Sequence, residues 1–116
     1  MNNRIAILSD IHGDTTALKA VIADARALGA TEYWLLGDIL LPGPGREDLF
    51  ELLDAIPITA AVRGNWDDCV LEALDGEYGL EDPQEIQLLR LTQYLMEGLD
   101  PKRIDWLRSL PLVEKK

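Results

Sequence analysis

Three short apolar runs alternate with two amphipathic stretches over the first 65 residues. Residues 4–9 are rich in Ile and read as a buried parallel strand; residues 32–37 and 58–63 read as the second and third. Between the first two, Leu18, Val21, Ile22, Ala25 and Leu28 fall on one face at helical spacing. Asp14 or Thr15 suits the cap of that helix, which is expected to run to about Leu28 and stop at Gly29. A second helix, Arg46 to Ala55, carries Leu49, Phe50, Leu52 and Leu53 and ends before Pro57. The order is β-α-β-α-β, with right-handed crossovers expected.

Beyond residue 65 the pattern is helical. Trp66 to Leu74 makes a short helix stopped by Gly76, and an acidic, turn-rich stretch follows to Pro83. Pro83 suits the first turn of a long helix through about Gly98, with Ile86, Leu89, Leu91, Tyr94 and Leu95 as its apolar load. A last helix spans Lys102 to Leu110 and is closed by Pro111. Leu112 to Lys116 reads as the start of a fourth strand. The fold class is therefore α/β: a βαβαβ core over residues 1–65 and a helical segment over 66–116. Together they form one domain, expected to be incomplete.

Composition narrows the partners. The formal net charge is −10, which repels a nucleic-acid duplex and leaves metal ions as the natural counter-charge for any phosphate ligand. Cys69 is the only cysteine, so no intrachain disulfide forms, and its apolar helical setting suits a packed thiol. The sequence shows neither a signal-peptide pattern nor an apolar run long enough to span a bilayer, and a cytoplasmic setting is expected.

Each apolar run ends in polar residues: Asp10-Ile11-His12-Gly13, Gly37-Asp38 and Gly64-Asn65. Side chains two apart on an extended strand point the same way, so Asp10 and His12 are expected to reach one ion together. Asp38 follows Asp10 by 28 residues and Asn65 follows Asp38 by 27, each close to the ~30 residues of a βαβ unit. All three ends then lie at the carboxyl edge of one sheet, where open α/β sheets place ligands. Three oxygen donors and one imidazole suit Mn²⁺, Fe²⁺, Zn²⁺ or Mg²⁺. Asp38, in the middle position, is the candidate to bridge two ions. Neither a G-x-G-x-x-G nor a P-loop pattern occurs, which disfavours other α/β phosphate binders.

Asp10-Ile11-His12-Gly13, Gly37-Asp38 followed by Gly43-Pro44, and Gly64-Asn65-Trp66-Asp67 resemble the motifs of the calcineurin-like metallophosphoesterases. The stretch from Gly37 to Pro44 is most like the bacterial phosphodiesterase-type branch. The resemblance covers about residues 4–70 closely and the remainder loosely. It implies half of a four-layer α/β/β/α sandwich and a dinuclear site. Asp10 and His12 would hold one ion, Asp38 would bridge, and Asn65 would bind the second. A bridging hydroxide would attack phosphorus in a diester, monoester or nucleotide. Gly13 and Gly64 would let backbone pass close to the ions.

Two departures qualify this. Trp66 stands where the family often has a histidine that protonates the leaving group, and indole is no general acid at neutral pH. Trp66 is instead a candidate to stack on a base or aryl group. Arg63 is a second candidate substrate contact, although an acidic chain also offers it salt-bridge partners. Asp67 suits a structural carboxylate in the first turn of its helix. His12 is the sole histidine, whereas the family's later motifs would bring about three more. The chain thus resembles an N-terminal half. An open apolar sheet face is expected to drive association with itself or with a missing C-terminal half. The alternative to a metal-dependent phosphoesterase is a catalytically silent fragment that serves as an interaction module.

Overall fold

A computed structural model describes residues 3–113. Three parallel strands, β1 (Ile5–Leu8), β2 (Glu32–Leu35) and β3 (Ile58–Ala61), form a sheet in the order β1-β2-β3. Helix α1 (Thr15–Ala27) joins the first pair and α2 (Glu47–Asp54) the second. Helices α3 (Asn65–Leu74), α4 (Pro83–Glu97) and α5 (Pro101–Ser109) follow. The Asp14 carboxylate caps α1 by accepting from the Ala17 amide at 2.9 Å, and Asp82 and Asp100 cap α4 and α5 in the same way.

The element order follows the hydrophobic pattern, but every strand is shorter than its apolar run. After β1 and β2 the chain leaves the sheet early because the residues just past those strands adopt left-handed backbone. Asp10 has φ 56°, Gly37 φ 97° and Asp38 φ 54°. Asn65 is the first residue of α3 rather than the end of a strand. At the far end, Leu112 and Val113 are exposed and form no strand, while the Pro111 carbonyl accepts from the Arg63 amide at 3.0 Å beside the end of β3. The rest of the expected fourth strand, residues 114–116, lies outside the described residues.

One face of the sheet carries the core. Register pairs Ala6 with Tyr33 and Leu8 with Leu35, and Leu35 with Ala61. This face packs against Leu18 and Ile22 of α1, Leu49, Phe50 and Leu53 of α2, and Val70 and Leu71 of α3. Leu95, Ile104 and Leu107 extend the same cluster into α4 and α5. Among the described residues the other face lacks such a cover. Ile5 is 41% exposed, Ile7 56% and Leu36 48%. The first strand is thus buried on one side only, not on both as its Ile-rich run suggests. Val21 and Leu28, expected in the core stripe of α1, are also exposed, along the unpaired edge of β1. In α4 only Thr92 and Leu95 are fully buried; the other apolar positions are half-covered.

Candidate metal centre

The site is built by the loops that leave the carboxyl ends of the strands. Residues 9–14 and 36–46 are laced together by backbone hydrogen bonds. His12 donates its amide to the Asp38 carbonyl, Gly13 to Ile39 and Gly43 to His12, at 2.7–2.8 Å. A Cβ at Gly13 would overlap the Gly43 carbonyl, so the close approach of the two loops demands glycine there. Gly37 plays the matching part for the third connection: at φ 97° it packs against the Gly64 backbone, where no side chain fits.

Four non-glycine residues of these two loops hold positive φ: Asp10, His12, Asp38 and Leu41, at 50–56°. Such backbone costs of order 1–3 kcal/mol per residue and persists where the surroundings over-determine it. Its effect is geometric. Asp10, His12 and Asp38 each present a ligand atom, and these atoms lie within 4.8 Å of one another. Asp10 and His12 therefore converge because both turn left-handed past the strand end, not because they alternate along an extended strand.

The charge arrangement invites a cation. His12 Nδ1 lies 2.9 Å from the Leu41 carbonyl. A carbonyl only accepts, so Nδ1 carries the proton, and in the neutral ring Nε2 is an acceptor. Nε2 faces Asp10 Oδ1 at 3.5 Å. Asp38 Oδ1 accepts the Trp66 amide at 2.9 Å, and its other oxygen takes no hydrogen bond among the described residues. Two carboxylates and an imidazole lone pair thus crowd one small volume with no donor among them. The donor set fits a divalent ion. The Asp10 side chain is 67% exposed and His12 31%, which leaves the group open to solvent.

Comparison with known proteins bears on the same residues. The profile of the calcineurin-like phosphoesterase family matches residues 3–115. The chain belongs to that family. An uncharacterized protein of Methanocaldococcus jannaschii is 32% identical over 97% of this chain and 44% of its own length. The crystal structure of a metallophosphoesterase from Sphaerobacter thermophilus superposes with a TM-score of 0.71 at 31% identity, over all of this chain and 44% of that one. The chain therefore spans less than half the length of these two relatives.

Around the metallophosphoesterase motifs, the other sequence-derived candidates are distributed unevenly. Asn65 is exposed at the start of α3, between Gly64 and Trp66. Both neighbours touch Asp38, for a Cβ on Gly64 would overlap the Asp38 carboxylate and Trp66 donates to it. The Trp66 ring stands edge-on to His12, with centroids 5.9 Å apart. Arg63 is engaged elsewhere: it pairs with Asp68 at 3.0 Å and donates to the Arg108 carbonyl. A Cβ on Gly13 would meet a neighbouring loop, and one on Gly64 the Asp38 carboxylate.

One contributor escapes sequence reasoning, and a second, Asp67, is structural as expected but does more than face its own helix. Leu41 acts through its carbonyl, which leaves no trace in residue type. Asp67 is fully buried and accepts from the amides of Asp38 at 2.8 Å, Ile39 at 2.9 Å and Gly64 at 2.9 Å. Burial pushes its carboxyl above the usual range, while the Gly64, Ile39 and Asp38 amides pull it back. It ties the Asp38 loop to the turn before Asn65. The available signal is the capping-box spacing from Gly64 to Asp67, disguised because glycine occupies the cap.

Proposed function

We propose that this chain supplies the first half of the catalytic site of a metal-dependent phosphoesterase acting on phosphodiesters, phosphomonoesters or nucleotides. The observation that carries this reading is the convergence of Asp10, His12 and Asp38 at left-handed backbone positions, with donor atoms within 4.8 Å. Asp10, His12 and Asp38 would hold a divalent ion such as Mn²⁺, Fe²⁺, Zn²⁺ or Mg²⁺, with Asp38 bridging toward a second ion at Asn65. When bound, such ions supply Lewis acidity and lower the pKa of coordinated water. The protein does the rest. The Leu41 carbonyl fixes the His12 tautomer so that Nε2 faces the site. The Trp66 amide orients Asp38, and Asp67 clamps the backbone beneath it.

Trp66 offers no proton to a leaving group, which favours esters whose leaving group departs without one. In our reading residues 1–116 are part of a single metallophosphoesterase domain in the cytoplasm, completed by a second copy or by a C-terminal half that brings the remaining ligands. The second reading, a silent interaction module, draws on the same open sheet face. Hydrolysis of a bis-aryl phosphate with Mn²⁺ separates the two. The wild-type chain is expected to turn over and Asp38→Asn to lose at least about a hundredfold in rate. Activity that survives Asp38→Asn, or none in either protein, overturns the catalytic reading of this chain.

A further inference from the structure

Helices α3 and α4 border a half-open pocket of about 360 Å³ beside the candidate metal-ligand group, near the lower end of the range for small-molecule sites. Its walls are Trp66 and Cys69 of α3 and Gln84, Gln87, Leu88 and Leu91 of α4. It is joined to the site at two points. The Trp66 ring is in edge contact with His12. Pro42, at the cavity margin, directly follows Leu41, whose carbonyl fixes His12. A larger hollow of about 570 Å³ lies between α2, β3 and α5, but it shares no residue with the metal-ligand group.

The lining specifies what the cavity takes. It holds no charged side chain, so it suits a neutral part of a ligand whose phosphate is held next door. An indole wall favours a flat ring, by stacking. The Gln84 and Gln87 side-chain amides make no hydrogen bonds among the described residues. Each presents one acceptor and one NH₂ donor, the complement of a nucleobase edge. A plain aryl ring would use the indole and waste both amides. On the reading of the metal centre given above, we infer that this cavity is a nucleobase subsite and that the ligand is a nucleotide. In that arrangement Trp66, standing where a proton donor is often found, serves to position the ligand.

Titration calorimetry on the 116-residue chain with Mn²⁺ tests this with three phosphates: adenosine 5′-monophosphate, ribose 5-phosphate and phenyl phosphate. The nucleotide is expected to bind at least about tenfold more tightly than ribose 5-phosphate, the gain that one stacked base brings. Phenyl phosphate is expected to fall between them. Leu88→Trp, which fills the cavity, and Gln87→Ala are each expected to shrink the gap between nucleotide and sugar phosphate. Equal affinities for those two overturn the inference, and phenyl phosphate matching the nucleotide overturns the nucleobase assignment. If no phosphate binds, the metal reading has failed and adenosine alone decides. Amide shifts confined to α3 and α4 that vanish in Leu88→Trp then sustain the subsite, and their absence overturns it.

Discussion

At the scale of single residues, Asp67 shows how a side chain with no direct role can govern those around it. Its carboxylate is fully buried and carries three backbone amides, two of them on the residues that position the Asp38 loop. Two effects oppose each other in Asp67→Asn. The substitution removes a buried charge, which burial disfavours. It also turns one accepting oxygen into a donor aimed at an amide, leaving at least one buried N–H unpaired. An unpaired buried group costs about 1–3 kcal/mol, and we expect that cost to win. Urea unfolding should show Asp67→Asn destabilised by about that amount, with Mn²⁺ affinity down about tenfold to a hundredfold as the Asp38 loop loses its clamp. A variant more stable than wild type would show that desolvation dominates. The candidate ligand types and their order are legible in the sequence, since Asp10, His12 and Asp38 stand in short motifs that end apolar runs. Their convergence is not, because positive φ at non-glycine residues leaves no sequence signature. The same holds for the Leu41 carbonyl, whereas the acceptor work of Asp67 is marked only by its spacing from Gly64.

At the scale of elements, arginines hold the helical segment onto the βαβαβ core. Arg103 of α5 reaches Glu47 and Asp54 at the two ends of α2, at 2.8 and 2.7 Å, and lies 5.1 Å from the Phe50 ring centre. Arg46 reaches the other way, with its guanidinium 4.2 Å from the Tyr94 ring centre and a hydrogen bond to the Tyr94 carbonyl on α4. Hydrogen bonds from Arg103 hold both the Glu47 and the Asp54 carboxyls below their ordinary range. A carboxyl whose pKa is lowered by folding contributes stability that is full above its unfolded value and is lost as pH falls through the folded one. The α2–α5 tie is thus intact at neutral pH and erodes below about pH 4. Arg103→Met keeps the apolar stem over Phe50 but releases both carboxylates. Its urea midpoint is expected to fall less than that of wild type between about pH 6 and about pH 3. Parallel acid limbs in the two proteins would count against the tie. The sequence shows all eight elements because Gly29, Pro57, Gly76, Pro83 and Pro111 punctuate them. It overextends the strands because Ser9, Leu36 and Val62 continue strand-like runs past the point where the backbone turns away.

At the scale of the whole molecule, the sheet is clothed on one side only. The Cα radius of gyration is 14.9 Å and the principal extents are 55 × 29 × 22 Å. A compact chain of this length would have a radius near 13 Å. The open face presents Ile5, Ile7 and Leu36, while Trp34, Thr59 and Glu32 form a polar chain across it, Trp34 donating to Thr59 and Thr59 to Glu32. Val21 and Leu28 flank the unpaired edge of β1. Two liabilities coincide there, an apolar surface and a strand edge with free backbone groups. The chain also spans 44% of the length of the two relatives described above. We therefore expect self-association through β1 and the open face. Light scattering at micromolar concentration should give a mass above the 12.9 kDa of one chain. Ile7 is the more exposed of the two β1 isoleucines, pairs with Trp34 in the sheet and packs in no core cluster, so Ile7→Lys should leave the fold intact and return the mass to that of a monomer. A wild-type monomer would show that the uncovered sheet tolerates water, and an oligomer that persists in Ile7→Lys would move the contact to another surface.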